Sequence, residues 1–154
     1  MRIFKVNILS KNVLKTANAI CFTSNGMTKK DGRLVMGAGV AKQFRDTFLD
    51  LDQEAGTAVK AHGNICQVVR RMNYLGNPLS IVAFPTKYDW KNKSDIKLIE
   101  QSVFQLIDLT NKFGWKAVYL PAPGINNGGL DWTKDVQPLL IKWLDPRFII
   151  TFLP

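Results

Sequence analysis

The sequence predicts an α/β fold, with a mostly parallel central sheet covered by helices on both faces. Three observations predict it. Short β-branched and aromatic runs alternate along the chain with longer segments of helical apolar spacing. No repeat, low-complexity linker or shift in composition divides the 154 residues, so one domain is expected over residues 1–154. The chain is 46% hydrophobic and 21% charged, enough to bury a full core and too apolar for disorder.

The elements follow in order. Strands are expected at Ile3–Ile8 and Ala19–Thr23, both short β-branched or aromatic runs. Val40, Phe44 and Phe48 mark the first helix, and Leu51–Ala61 is read as another. Two further strands are expected at Ile65–Arg71 and Ser80–Phe84. Ile96, Ile99, Val103, Leu106, Ile107 and Phe113 then form one apolar stripe, with Ser94 as the N-cap and Gly114 as the stop. Ala117–Leu120 reads as a strand. Val136, Leu139, Leu140 and Trp143 give a last helix before a final strand at Arg147–Phe152.

Composition also excludes function classes. No apolar stretch approaches the ~20 residues of a membrane-spanning helix. The opening residues, Met1 to Asn7, alternate charged and apolar side chains instead of building a signal-peptide core, so a cytoplasmic protein is expected. Cys21 and Cys66 lie inside apolar runs and read as buried, reduced thiols. With a lone His62 there is no zinc-ligand spacing, so neither a metal nor a cofactor is expected. The chain is a basic protein, with a formal charge of +9. Residues 1–77 carry 12 Lys and Arg against 5 acids, a balance compatible with nucleic acid or a phosphate-bearing ligand.

Ligands of such sheets bind beyond the carboxyl ends of the strands. That points to three loops: Ser24–Gly39, Pro85–Ser94 and Pro121–Trp132. The first ends Val35-Met36-Gly37-Ala38-Gly39-Val40-Ala41 and runs into a helix, where free N–H groups and the helix dipole favour an anion. Lys42 replaces the third glycine of a dinucleotide fingerprint, and Gly-Lys-Ser/Thr is absent. The third loop carries Gly124, Gly128 and Gly129 with Asn126 and Asn127, a composition suited to a nest of N–H donors. Together the two loops suggest a diphosphate held from both sides. The middle loop offers Lys87 directly after a strand, a candidate nucleophile if its amine is freed of its proton.

Taken together, these segments resemble the macro domain family, whose members bind ADP-ribose on a three-layer α/β/α fold with a mixed, mostly parallel sheet. The resemblance covers nearly the whole chain. It rests on Asn25, on Met36-Gly37-Ala38-Gly39-Val40-Ala41-Lys42-Gln43-Phe44, on Thr86-Lys87, and on Gly124-Ile125-Asn126-Asn127-Gly128-Gly129-Leu130-Asp131-Trp132. Within the family it is nearest to macro domains that remove ADP-ribose from acidic side chains, or from DNA bases as toxin-neutralising antitoxins. The resemblance implies that Lys87 acts at the anomeric carbon of the distal ribose through a Schiff-base-type adduct. It implies that Asn25 contacts that ribose. Gly37, Ala38, Gly39, Val40 and Thr86 would line one side of the ligand, and Gly124, Ile125, Asn126, Asn127, Gly128, Gly129 and Leu130 the other. Asn7-Ile8 stands where the family has Gly-Asp-Ile/Leu, whose aspartate receives the adenine amino group.

Two departures are visible. The stretch Gly26–Leu34, with Lys29, Lys30, Asp31 and Arg33, is longer than the usual connection. Gly128 aligns with an aspartate of some lysine-type hydrolases, leaving Asp131 as the candidate acid/base group. The expected activity is hydrolysis of the ADP-ribosyl linkage to a modified nucleic acid or protein. A non-catalytic ADP-ribose-binding module and an ADP-ribose 1″-phosphate phosphatase are the alternatives. A monomer without a membrane partner is expected.

Overall fold

The computed structural model describes residues 1–154, and its chain order is a mixed α/β succession. The strands are β1 (Arg2–Lys5), β2 (Ala19–Ser24), β3 (Gln67–Tyr74), β4 (Asn77–Pro85), β5 (Val118–Pro121) and β6 (Phe148–Phe152). The helices are α1 (Lys11–Thr16), α2 (Gly39–Thr47), α3 (Leu51–His62), α4 (Ile96–Phe113) and α5 (Gln137–Trp143). One six-stranded sheet runs in the order β1-β6-β5-β2-β4-β3, parallel throughout except for the β3–β4 hairpin.

Strand alternation sorts the apolar side chains into two layers. Ile20 and Phe22 of β2, Ile81 and Ala83 of β4, and Ile149 of β6 pack with Val13, Phe44, Leu51 and Ala55 from α1, α2 and α3. Ala19, Cys21, Val82, Phe84, Leu120 and Ile150 face the other way, onto Ile99, Val103, Leu106 and Leu140 from α4 and α5. The result is the expected three-layer α/β/α arrangement with a mostly parallel centre. Cys21 and Cys66 are both free and buried, and burial pushes both thiols well above the usual range. No helix is long and apolar enough to cross a membrane.

The expected elements are all present, with corrections at their ends. The first strand stops at Lys5, because Asn7 Oδ1 accepts the Leu9 N–H and turns the chain toward α1. Helix α1 itself is absent from the sequence reading; its six residues, capped by Ser10, are too short to show a period. Strands β3 and β4 run longer than expected and meet in a two-residue turn with Leu75 at φ 47° and Gly76 at φ 91°. Such turns usually announce themselves with Asn-Gly, and leucine carries no such signal.

Ser94 is not the N-cap of α4. Asp95 is, its Oδ1 accepting the Lys97 and Leu98 N–H groups, while Ser94 is buried against the third loop. Gly114 does end α4, in the left-handed region at φ 65°.

The long connection after β2 is pinned at its base. Arg33 reaches Asp52 at 2.7 Å and Asp50 at 3.4 Å, and both raise its already high pKa. Its neighbour Gly32 lies hard against α3: a Cβ on Gly56 would stand 1.9 Å from the Gly32 carbonyl oxygen. Helix propensity alone would make Gly56→Ala stabilising by about 1 kcal/mol. The packing reverses that sign, and a loss of about 3 kcal/mol is expected in denaturant or thermal unfolding.

Candidate functional site

Strands β5, β2 and β4 are neighbours and parallel, so their carboxyl ends lie side by side. Beyond them opens a cleft of about 830 Å³, lined by Thr23 and Ser24 after β2, Thr86 and Lys87 after β4, and Pro121 and Ala122 after β5. Its walls are the three loops singled out in the sequence, and Leu153 after β6 closes one side. The floor is tied together by backbone. The Ser24 carbonyl accepts the N–H groups of Thr86 and Lys87 at 2.9 and 3.3 Å, and Ser102 Oγ donates to the Pro85 carbonyl at 2.7 Å.

The first loop is a small hairpin braced by Asn25. Its Nδ2 donates to the Val35 carbonyl at 3.1 Å, and its Oδ1 accepts the Met27 N–H at 2.9 Å. Thr28 and Leu34 bridge across the hairpin, and Leu34 and Met36 plug into the core. The chain then emerges as Gly37, Ala38 and Gly39, all exposed along the cleft. Nothing lies within 4 Å of a Cβ built on Gly37, so a ligand can approach its backbone. Helix α2 starts there without a side-chain cap and without an acid in its first turn. Its leading N–H groups are therefore free to receive an anion.

The third loop is closely packed. Gly124 has φ 78°, and a Cβ on it would meet Ile99 Cδ1 at 2.6 Å and Leu130 Cδ1 at 2.9 Å. Asn126 sits at φ 58° and Gly129 at φ 73°, which turn the backbone of Asn126–Gly128 toward the cleft. Ser94 fills the space behind Gly128: a Cβ there would lie 2.3 Å from Ser94 Oγ, and the Ser94 N–H donates to the Gly128 carbonyl. A side chain at this position requires Ser94 to give way. The two glycine loops approach across the cleft, with Asn127 Nδ2 3.6 Å from a Cβ built on Gly39.

Lys87 stands where the middle and third loops meet. Its Nζ donates to the Asn127 carbonyl at 3.1 Å and to the Trp90 carbonyl at 3.4 Å, and no carboxylate is paired with it. Asn64, on the approach to β3, donates from Nδ2 to the Lys87 carbonyl at 3.0 Å and packs under Gly26. Asn64 therefore braces the backbone of Lys87 against the first loop. Sequence reasoning missed it, since it sits outside all three loops.

Most of the expected residues converge: Asn25, Gly37, Ala38, Gly39, Val40, Thr86, Lys87, Gly124, Ile125, Asn126, Asn127, Gly128 and Gly129 all line the cleft. Four do not. Ile8 is buried in the core, and Asn7 holds the turn into α1. Leu130 packs inward on Gly124. Asp131 is exposed and caps the wide helical turn Trp132–Val136, its Oδ1 accepting the Lys134 N–H. Lys29 and Lys30 are exposed on the first-loop hairpin and outside the lining. The lining adds Trp90, Lys91, Asn92 and Lys93 from the middle loop, whose signal in the sequence was only aromatics beside lysines.

No family model matches the chain. The DNA ADP-ribosyl glycohydrolase of Mycobacterium tuberculosis (strain ATCC 25618 / H37Rv) is 32% identical over 111 residues, covering 70% of this chain and 31% of that protein. The protein of the same description from Thermus aquaticus is 33% identical over 107 residues, 67% of this chain and 29% of its own length. The chain thus spans about a third of the length of these curated relatives. Among solved structures, the macrodomain of Mycobacterium tuberculosis DarG matches with a TM-score of 0.78 at 25% identity, covering 97% of this chain and 95% of that one. Thermosipho africanus DarTG in complex with ADP-ribose matches at 0.73 and 28% identity, over 90% of this chain and 38% of that one. Fold, loop geometry and sequence agree: the chain belongs to the macro domain family, of the DarG type.

Proposed function

We propose that this chain binds ADP-ribose in the three-loop cleft and hydrolyses the bond joining it to a DNA base. The observation that carries the reading is the position of Lys87 Nζ, held by two backbone carbonyls at the meeting point of the loops. The cleft volume suits a dinucleotide-sized ligand. The uncapped start of α2 and the N–H groups of Asn126 and Asn127, which have no acceptor within the protein, supply donors for a diphosphate between them. The names of the relatives, DNA ADP-ribosyl glycohydrolases and a DarTG bound to ADP-ribose, support the ligand and the substrate.

The chemistry then follows from a nucleophilic amine. Lys87 sheds a proton and its nitrogen bonds to the anomeric carbon of the distal ribose. The bond from that carbon to the base breaks, and the base leaves with the proton. Water adds at the same carbon, which returns the free amine and releases ADP-ribose. The carbonyl pair aims the amine, Asn64 links the Lys87 backbone to the first loop at Gly26, and Asn25 braces that loop internally. With glycine at position 128 and Asp131 outside the cleft lining, water and the leaving base manage the protons without a paired acid.

Two outcomes are expected. Lys87→Ala abolishes release of ADP-ribose from a modified oligonucleotide while its affinity for ADP-ribose stays within a few-fold of the parent. Normal turnover by that variant removes the lysine mechanism, and tight binding without turnover by the parent chain favours a binding module instead. Gly128→Ala pushes the third loop off Ser94 and weakens ADP-ribose binding by tenfold or more in calorimetry. Adding Ser94→Gly removes the clash and restores most of the loss, a coupling that two independent sites would not show.

A further inference from the structure

Three of the four tryptophans have an aromatic partner: Trp115 stacks on Phe113, Trp132 meets Phe152 edge-on, and Trp143 meets Phe104 at the surface. Trp90 has no aromatic partner. It is 51% exposed in the lining of the cleft, with the Lys91 ammonium 5.5 Å from its ring centroid. An indole left half in water at the rim of a polar cleft adds nothing to the core, so its flat face is available to a ligand.

The indole is presented on a fixed turn. The Asp89 carbonyl accepts the Asn92 N–H at 3.1 Å and Asp89 Oδ1 accepts the Lys91 N–H at 3.0 Å, which puts Trp90 and Lys91 at the tip. The Tyr88 carbonyl accepts the Gly26 N–H at 3.1 Å and ties this loop to the first. On the other side the stem of Lys93 lies over Gly129 of the third loop. Neither Lys91 nor Lys93 has an acidic partner, and the one carboxylate of the turn, Asp89, accepts the Lys91 N–H through Oδ1.

We infer that Trp90 is a specificity-determining residue: its indole stacks on an unpaired base beside the ADP-ribosylated one, while Lys91 and Lys93 take the flanking phosphates. The inference rests on the DNA-hydrolase reading and adds to it which part of the strand is read. An acidic peptide would satisfy the lysines but leave the aromatic face unused, whereas a single strand matches both. A base must be unstacked to lie on the indole, so a paired duplex does not fit.

The test compares kcat/KM for an ADP-ribosylated single-stranded oligonucleotide and for the corresponding ADP-ribosylated mononucleoside. The parent chain is expected to prefer the oligonucleotide. Trp90→Ala lowers that ratio on the order of tenfold, and Trp90→Phe keeps most of it. Because Lys87 touches the Trp90 carbonyl, any disturbance of the amine affects both substrates and cancels in the ratio. Lys91→Ala and Lys93→Ala each flatten the dependence of log affinity on log salt by about 0.7 for the oligonucleotide. Equal loss on both substrates, an unchanged ratio, or a parent preference for a modified acidic peptide overturns the inference. If the parent binds both substrates and releases ADP-ribose from neither, the hydrolase reading fails separately, and the same ratio in dissociation constants decides the role of Trp90.

Discussion

Parallel pairing of β5, β2 and β4 is the constraint on which the rest depends. Parallel strands send every carboxyl end to one edge of the sheet, and the helices that return the chain must pack on its faces. Three loops are thereby brought together from positions about 60 and 40 residues apart in sequence, a convergence that follows from topology. The apolar layers on both faces then hold the strand ends still, with Phe22, Phe84 and Phe148 wholly buried. A site made largely of backbone needs that rigidity, because an N–H group cannot adjust as a side chain can.

Glycine is used in this cleft for two different reasons. Gly37 stands in open space, where the absent side chain lets a ligand reach the main chain. Gly124 and Gly128 are packed so closely that a methyl group would collide with Ile99, Leu130 or Ser94. The first kind admits the ligand and the second fixes the wall that meets it. Lys87 lies on the seam between them, so the position of its amine depends on both the middle loop and the third.

The sequence carried much of this on its surface. The β-branched runs and the stripe from Ile96 to Phe113 made the layers readable, and glycines beside strand ends marked two walls of the cleft. What stayed hidden depended on contacts between distant segments. Asn64 gave no sign of its bond to the Lys87 carbonyl, 23 residues away. Ser94 looked like a cap because serine favours that position, but Asp95 holds the helix and Ser94 is wedged behind Gly128. Asn7 and Asp131 were singled out by likeness to a motif, yet each has its Oδ1 engaged by a local N–H group, as Asn and Asp often do at turns and helix starts.

The most direct measurement is a calorimetric titration of the purified chain with ADP-ribose, alongside AMP and ribose 5-phosphate. A cradle that grips the diphosphate from both walls gives selective micromolar binding of ADP-ribose, about −8 kcal/mol, and much weaker binding of either fragment. No heat at millimolar ADP-ribose, or equal affinity for all three compounds, would contradict the account, because the two glycine loops would then not act on one ligand.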